Sequence, residues 1–262
     1  MTPTPAGPCA KLPGLFLLAV LLAPAWTGAG AARAAEVQVA VAANFAGPMA
    51  RLAADFRVAS GHVLKISSGS TGKLRSQIQA GAPFEVLLAA DDRTPRQLVA
   101  EGHAVPGSAF TYALGRLVLW SAQPGLVDER GEVLATTRFR HLSIANPRLA
   151  PYGAAAVEVL RGRGLAGSLA GRLVTGESIA QAYQFVATGN AEIGFVALSQ
   201  VVVPGRPPRG SMWVVPAALH APIRQDAVLL KAGAANPAAR ALLDWLKGEA
   251  ARRVIHDFGY GS

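Results

Sequence analysis

The chain has 262 residues and a formal net charge of +9 at neutral pH, with 51% hydrophobic and 16% charged residues. That much apolar side chain builds a sizeable core, which excludes wholesale disorder, and the length allows one large domain or two small ones. Lysine and arginine are scattered, with no basic run or stripe, so the charge does not mark a nucleic-acid partner.

Residues 1–34 read as an export signal. Lys11 supplies a positive start, Leu12–Trp26 is apolar but broken by Pro13 and Pro24, and Ala32-Arg33-Ala34 forms an A-x-A cleavage site. The run is too short and too broken to span a membrane comfortably, which disfavours an uncleaved anchor. Cleavage after Ala34 delivers a periplasmic protein and removes Lys11, Arg33 and the sole cysteine, Cys9; the formal charge falls from +9 to +7. A mature chain without cysteine has no disulfide, thiolate nucleophile or thiolate metal site.

From there the elements alternate. Val37–Ala43 is a buried-strand run, and Asn44 is positioned to cap a helix that places Phe45, Met49, Leu52, Ala53 and Phe56 on one face and stops at Gly61. Val63–Ser67 is a second strand, followed by the turn Ser68-Gly69-Ser70-Thr71-Gly72 and a helix with Leu74 and Ile78, stopped by Gly81. Glu85–Ala90 is a third strand, closed by Asp91 and Asp92, and Thr94–Gly102 a helix with Pro95 in its first turn.

Phe110–Ser121 alternates as one long strand, and Pro124–Thr137 is polar and irregular. Leu142–Ala145 is a strand ending in Asn146-Pro147, and Pro151-Tyr152-Gly153 opens a helix through Leu160. Arg172–Val174 and Ala191–Ala197 are strands around a helix at Ser178–Ala187. After a Pro/Gly/Arg loop at Pro204–Gly210 come strands at Trp213–Pro216 and Gln225–Leu230, then helices at Asn236–Lys247 and Glu249–Phe258. This order predicts parallel sheets with helices on both faces. Two α/β lobes fit it, residues 35–115 plus 226–262 and residues 116–225, with crossings near Leu114–Arg116 and Ile223–Ala227. A single doubly wound domain is the alternative, and in either layout ligands bind beyond the carboxyl ends of strands.

Enzyme chemistry finds little support. The five histidines, His62, His103, His141, His220 and His256, have no metal-ligand spacing. Gly69-Ser70-Thr71-Gly72-Lys73 fails as a phosphate loop, because Ser67 and Leu74 stand where the motif needs Gly and a hydroxyl residue. No serine sits in a complete G-x-S-x-G elbow; Gly176-Glu177-Ser178-Ile179-Ala180 is the nearest approach.

What remains is a set of four strand-to-helix turns: Ala43-Asn44, Ser70-Thr71, Pro151-Tyr152-Gly153 and Ser178-Ile179. Ser178-Ile179-Ala180-Gln181 fits a capping box that leaves the Ile179 amide free. Each helix start carries about half a positive charge, so converging starts make an anion site without a cationic side chain. A buried unpaired anion costs on the order of tens of kcal/mol, and charge-assisted hydrogen bonds return about 1.5–3 kcal/mol each. Roughly six or seven convergent donors, amides plus the side chains of Asn44, Thr71 and Tyr152, would offset much of that cost. Simple helix capping is the competing explanation for each turn taken alone.

Val37–Met49, Ser67-Ser68-Gly69-Ser70-Thr71-Gly72, Phe84–Asp91, Asn146-Pro147 with Ala150-Pro151-Tyr152-Gly153, and Gly194–Ala197 resemble, in order, the periplasmic molybdate-binding proteins of ABC transporters. The resemblance implies a type II periplasmic-binding fold, in which two α/β lobes joined by a two-crossing hinge close on a cleft. It implies no enzymatic activity and no cofactor, molybdate or tungstate as ligand, a membrane permease as partner, and a monomer. Carried over by position, the oxyanion is held by Ala43, Asn44, Ser70, Thr71, Tyr152 and Ile179, with no protein atom on the metal itself. Thr71 stands where the family usually has Ser, and Ala197 where some members carry a tyrosine, so Tyr152 is the expected phenol. A set of donors without an acceptor rejects a protonated anion such as hydrogen phosphate, unless Asp91 reaches the site. The alternatives are another tetrahedral oxyanion such as sulfate, an organic carboxylate, or an exported hydrolase.

Overall fold

The computed structural model describes residues 1–8, 10 and 34–261. The segment 11–33, which holds the positive start, the apolar run and most of the cleavage site of the export signal, lies outside the described residues, as does Cys9. Among the described residues no helix is long and apolar enough to cross a membrane.

From Ala34 onward the chain builds two α/β lobes. In the first, β1 (Glu36–Ala42) passes through a 3-10 turn (Ala43–Phe45) into α1 (Ala46–Ser60), β2 (Val63–Gly69) into α2 (Thr71–Gln79), and β3 (Val86–Leu88) into α3 (Arg93–Ala100), before β4 (Phe110–Gly115). The second holds β5 (Leu117–Ser121), β6 (Leu142–Ala145), α4 (Pro151–Gly162), α5 (Ala166–Leu169), β7 (Leu173–Gly176), α6 (Ile179–Ala187), β8 (Ile193–Ala197), α7 (Leu198–Val201) and β9 (Ser211–Val214). The chain then returns as β10 (Ile223–Leu229) and finishes with α8 (Pro237–Leu246) and α9 (Glu249–Asp257).

The strand orders are β2-β1-β3-β10-β4 and β7-β6-β8-β5-β9. The first three strands of each sheet are parallel, but β10 and β5 run against both of their neighbours. The sheets are therefore mixed, where the sequence pattern predicted parallel ones. The reversed strand in each sheet is the one arriving from the other lobe, which enters from the opposite end. The same crossing corrects the long strand predicted at Phe110–Ser121: it is two strands, β4 and β5, in different sheets and separated by Arg116. At the break, a Cβ on Gly115 would collide with the Tyr152 hydroxyl and come within 2.5 Å of Gln225 Nε2. Only glycine fits there.

Helices cover both faces of the first sheet. Val37, Val39 and Val41 pack with Phe45, Met49, Leu52 and Leu242 on one side, and Ala40 and Leu87 with Leu74, Ile78 and Leu98 on the other. The second lobe centres on Leu117, Leu119, Ile144, Val159 and Phe195. Each such buried side chain contributes about 1.5–3 kcal/mol, enough to hold the strand ends rigidly in place. On β10, Ile223 packs into the second core while Ala227 and Leu229 pack into the first, so one strand serves both lobes.

Candidate ligand-binding site

The strand ends of β1, β2, β6 and β7 all deliver a turn to the same place. At the first, Asn44 is not a helix cap: it lies inside the 3-10 turn, and α1 begins at Ala46. Its side-chain Nδ2 donates to Gln225 Oε1 (2.9 Å) and to the Tyr260 hydroxyl (2.9 Å), which uses both hydrogens. Its carbonyl accepts from Ser199 Oγ (2.9 Å) and from the Tyr260 hydroxyl (3.0 Å). Asn44 thus braces the turn with its side chain, while its backbone amide, near the start of a helical turn, has no intrahelical partner.

At the second turn Ser70 is extended, precedes α2 and makes no capping hydrogen bond. Thr71 is buried, and its Oγ1 accepts from the Ala90 amide (3.0 Å), which leaves the hydroxyl hydrogen to donate. At the third, Pro151 opens α4, and Gly153 is required because a Cβ there would strike the Ala145 carbonyl. Tyr152 is 1% exposed and its hydroxyl accepts from Gln225 Nε2 (3.0 Å), so its hydrogen too is left to give. Burial pushes the Tyr152 phenol well above its ordinary value of 10.0, which keeps that hydrogen in place.

The fourth turn forms half of the expected capping box. Ser178 Oγ accepts from the Gln181 amide (3.3 Å), but Gln181 Oε1 accepts from the Glu177 amide (2.6 Å) rather than from that of Ser178. The side chain reaches one residue further back, and the amide of Ile179, the first residue of α6, has no partner within the helix.

All six residues singled out from the sequence, Ala43, Asn44, Ser70, Thr71, Tyr152 and Ile179, line one small, tightly closed cavity. None of its lining residues is charged. The lobes meet over it: the Gly72 amide on α2 donates to the Leu149 carbonyl (2.9 Å), and Ser199 on α7 to Asn44 (2.9 Å). The cleft is closed.

Charge sits outside. Arg75, Arg93, Arg148 and Arg224 share the mouth of the cleft with Asp91, Asp92 and Glu158. Arg75 is tied to Glu101, and Arg224 lies 3.9 Å from Asp92, so no arginine clamp reaches the inner cavity. Asp91, one residue before the N-cap of α3, does not line the cavity; it accepts from the Thr94 amide (2.6 Å) and hydroxyl (3.2 Å). Burial raises its carboxyl pKa, and the Thr94 donors pull it partly back. Among the described residues no group of His, Cys, Asp and Glu could hold a metal ion directly.

Four residues around the cavity escaped the sequence reading: Tyr112, Ser199, Gln225 and Tyr260. Gln225 is fully buried and joins Asn44, Tyr112 and Tyr152 by hydrogen bonds. One signal was available: Gln225 shares the period-2 register of Ile223 and Ala227, so an amide stands on the core face of a strand. Tyr260 and Ser199 arrive from segments 216 and 155 residues from Asn44, a closeness no local pattern encodes.

A family model of bacterial extracellular solute-binding proteins matches residues 37–261. The molybdate-binding protein ModA of Azotobacter vinelandii is 62% identical over 231 residues, covering 88% of this chain and 92% of that protein. The ModA of Rhodobacter capsulatus is 53% identical over 229 residues, 87% and 89% of the two chains. The solved Azotobacter vinelandii periplasmic molybdate-binding protein superposes with a TM-score of 0.85 at 44% identity, covering 86% of this chain and 99% of that one. With a match along nearly its whole described length, the chain belongs to the bacterial extracellular solute-binding protein family and, within it, groups with the molybdate-binding proteins.

Proposed function

We propose that the protein captures molybdate, and tungstate, in the periplasm as a monomer and hands it to the membrane permease of an ABC transporter, without chemical conversion. The observation that carries this reading is the uncharged cavity in which turns from both lobes gather. The Thr71 and Tyr152 hydroxyls each accept from an internal donor, which leaves each a hydrogen to give. The amides of Asn44 and Ile179, which have no partner within their helical turns, complete a set that gives hydrogen bonds and takes none. Such a set suits a fully deprotonated tetrahedral dianion and disfavours one that still carries a proton. Asp91, the carboxylate that the sequence reading held open as an acceptor for that proton, is held by Thr94 and does not line the cavity. Amino-terminal export and cleavage after Ala34 would place the protein where such a ligand is collected.

Isothermal titration of the mature protein with molybdate, tungstate, sulfate and phosphate tests this. One molybdate or tungstate per chain, bound about fivefold to a hundredfold tighter than phosphate, is the expected result, since one unmatched buried polar group costs about 1–3 kcal/mol. Phosphate binding as tightly as molybdate, or no uptake of any oxyanion, would overturn it.

A further inference from the structure

We propose that Gln225 is a positioning residue for the oxyanion, which fixes the direction in which the Tyr152 hydroxyl donates. The inference rests on the reading of the cavity as an oxyanion site. Gln225 lies on β10, the strand that serves both lobes, and is fully buried. Its Oε1 accepts from Asn44 Nδ2 (2.9 Å) and from the Tyr112 hydroxyl (3.0 Å); its Nε2 donates to the Tyr152 hydroxyl (3.0 Å). Asn44 belongs to the first lobe and Tyr152 to the second, so this one amide grips a cavity-lining residue from each side of the cleft.

The direction matters more than the contact. A phenol can accept at oxygen and give one hydrogen. With Gln225 Nε2 donating to the oxygen, the Tyr152 hydrogen is turned away from Gln225, and the acceptors left to it are a ligand in the cavity and the Tyr260 hydroxyl. A glutamate at 225 would offer only acceptors and draw that hydrogen away; a methionine would offer neither group. At neutral pH, where a carboxyl is ionised, a primary amide supplies an acceptor for Asn44 and a donor for Tyr152 at once. Gly115 leaves the space in which Tyr152 and Gln225 meet, since any Cβ there would intrude on both.

The titratable groups around position 225 are the Tyr112, Tyr152 and Tyr260 phenols, all pushed up by burial, and Asp226, whose carboxylate accepts from Thr111 (2.7 Å). No group among the phenols changes charge near neutral pH, so the wild-type affinity should be flat there.

Calorimetric titration with molybdate of the wild type, Gln225→Met, Tyr152→Phe, the double variant and Gln225→Glu tests the inference. Gln225→Met is expected to lose about tenfold in affinity, the scale of one net hydrogen bond. In the Tyr152→Phe background the same change should cost less than about threefold, because the hydroxyl it orients is gone. Gln225→Glu should bind well at acid pH, where the protonated carboxyl can still donate, and progressively worse as it ionises. Full affinity in Gln225→Met, or losses that multiply in the double variant, overturn the inference. Should Gln225→Met not fold, the near-isosteric Gln225→Glu carries the test, and a flat pH profile overturns it. A wild type that takes up no oxyanion overturns the functional reading and this inference with it; a wild type that binds beside an unaffected Gln225→Met overturns the inference alone.

Discussion

Thr71 shows how one side chain separates recognition from structure. Its oxygen accepts from the Ala90 amide and its hydrogen is free, so the hydroxyl has an internal and an external task. Thr71→Ser keeps both and should bind molybdate within about threefold of the wild type. Thr71→Val keeps the shape but removes the donor to the anion, a charge-assisted bond of about 1.5–3 kcal/mol, so affinity should fall about tenfold to a hundredfold. It also strands the buried Ala90 amide, which should cost about 1–3 kcal/mol of stability in the absence of ligand. Titration calorimetry and thermal melts of the two variants separate these effects. Equal affinity in both would remove Thr71 from the donor set.

At the scale of elements, α2 does more than present Thr71, since its next residue makes the contact that shuts the cleft. The Gly72 amide meets the Leu149 carbonyl, and a Cβ on Gly72 would lie 3.1 Å from both the Cα and the carbonyl oxygen of Leu149. Gly72→Val should therefore prop the lobes apart in the closed state alone. Overpacking costs about 1–3 kcal/mol, so molybdate affinity should fall about fivefold to a hundredfold while the ligand-free melting temperature stays nearly unchanged. Small-angle scattering should show the compaction on ligand addition reduced. Retained affinity and retained compaction would mean that Leu149 yields to the larger residue.

The turns were legible from the sequence because local chemistry writes them: Gly61 ends α1 with φ 74° and its amide on the Arg57 carbonyl, and Ser178 accepts from Gln181. Two things were illegible for the opposite reason. The break at Arg116 leaves no mark in alternation, because β4 and β5 read together as one patterned strand and part only in joining different sheets, a tertiary choice no local pattern encodes. The partners of Asn44 lie 155 to 216 residues away, so its capping chemistry, plausible locally, yields to tertiary hydrogen bonds.

For the molecule as a whole, the ligand's largest effect should fall on the balance between open and closed forms. Donors come from both lobes, whereas among the described residues the covalent links between the lobes are the passage from β4 to β5 and the return into β10. An anion held from both sides stabilises the closed, native arrangement by an amount set by mass action, about 2.7 kcal/mol at a hundredfold excess over Kd. For a chain of this size each kcal/mol moves the melting temperature by about 2–4 °C, so saturating molybdate should raise Tm by about 5–10 °C. The transition should also sharpen into one, because neither lobe can then unfold without releasing the ligand. A grip by one lobe alone predicts a different trace, with that lobe shifted, the other unmoved and two steps in the melt. Differential scanning calorimetry with and without molybdate distinguishes the two, and a shift confined to one of two transitions would show that the shared cavity is not what holds the anion.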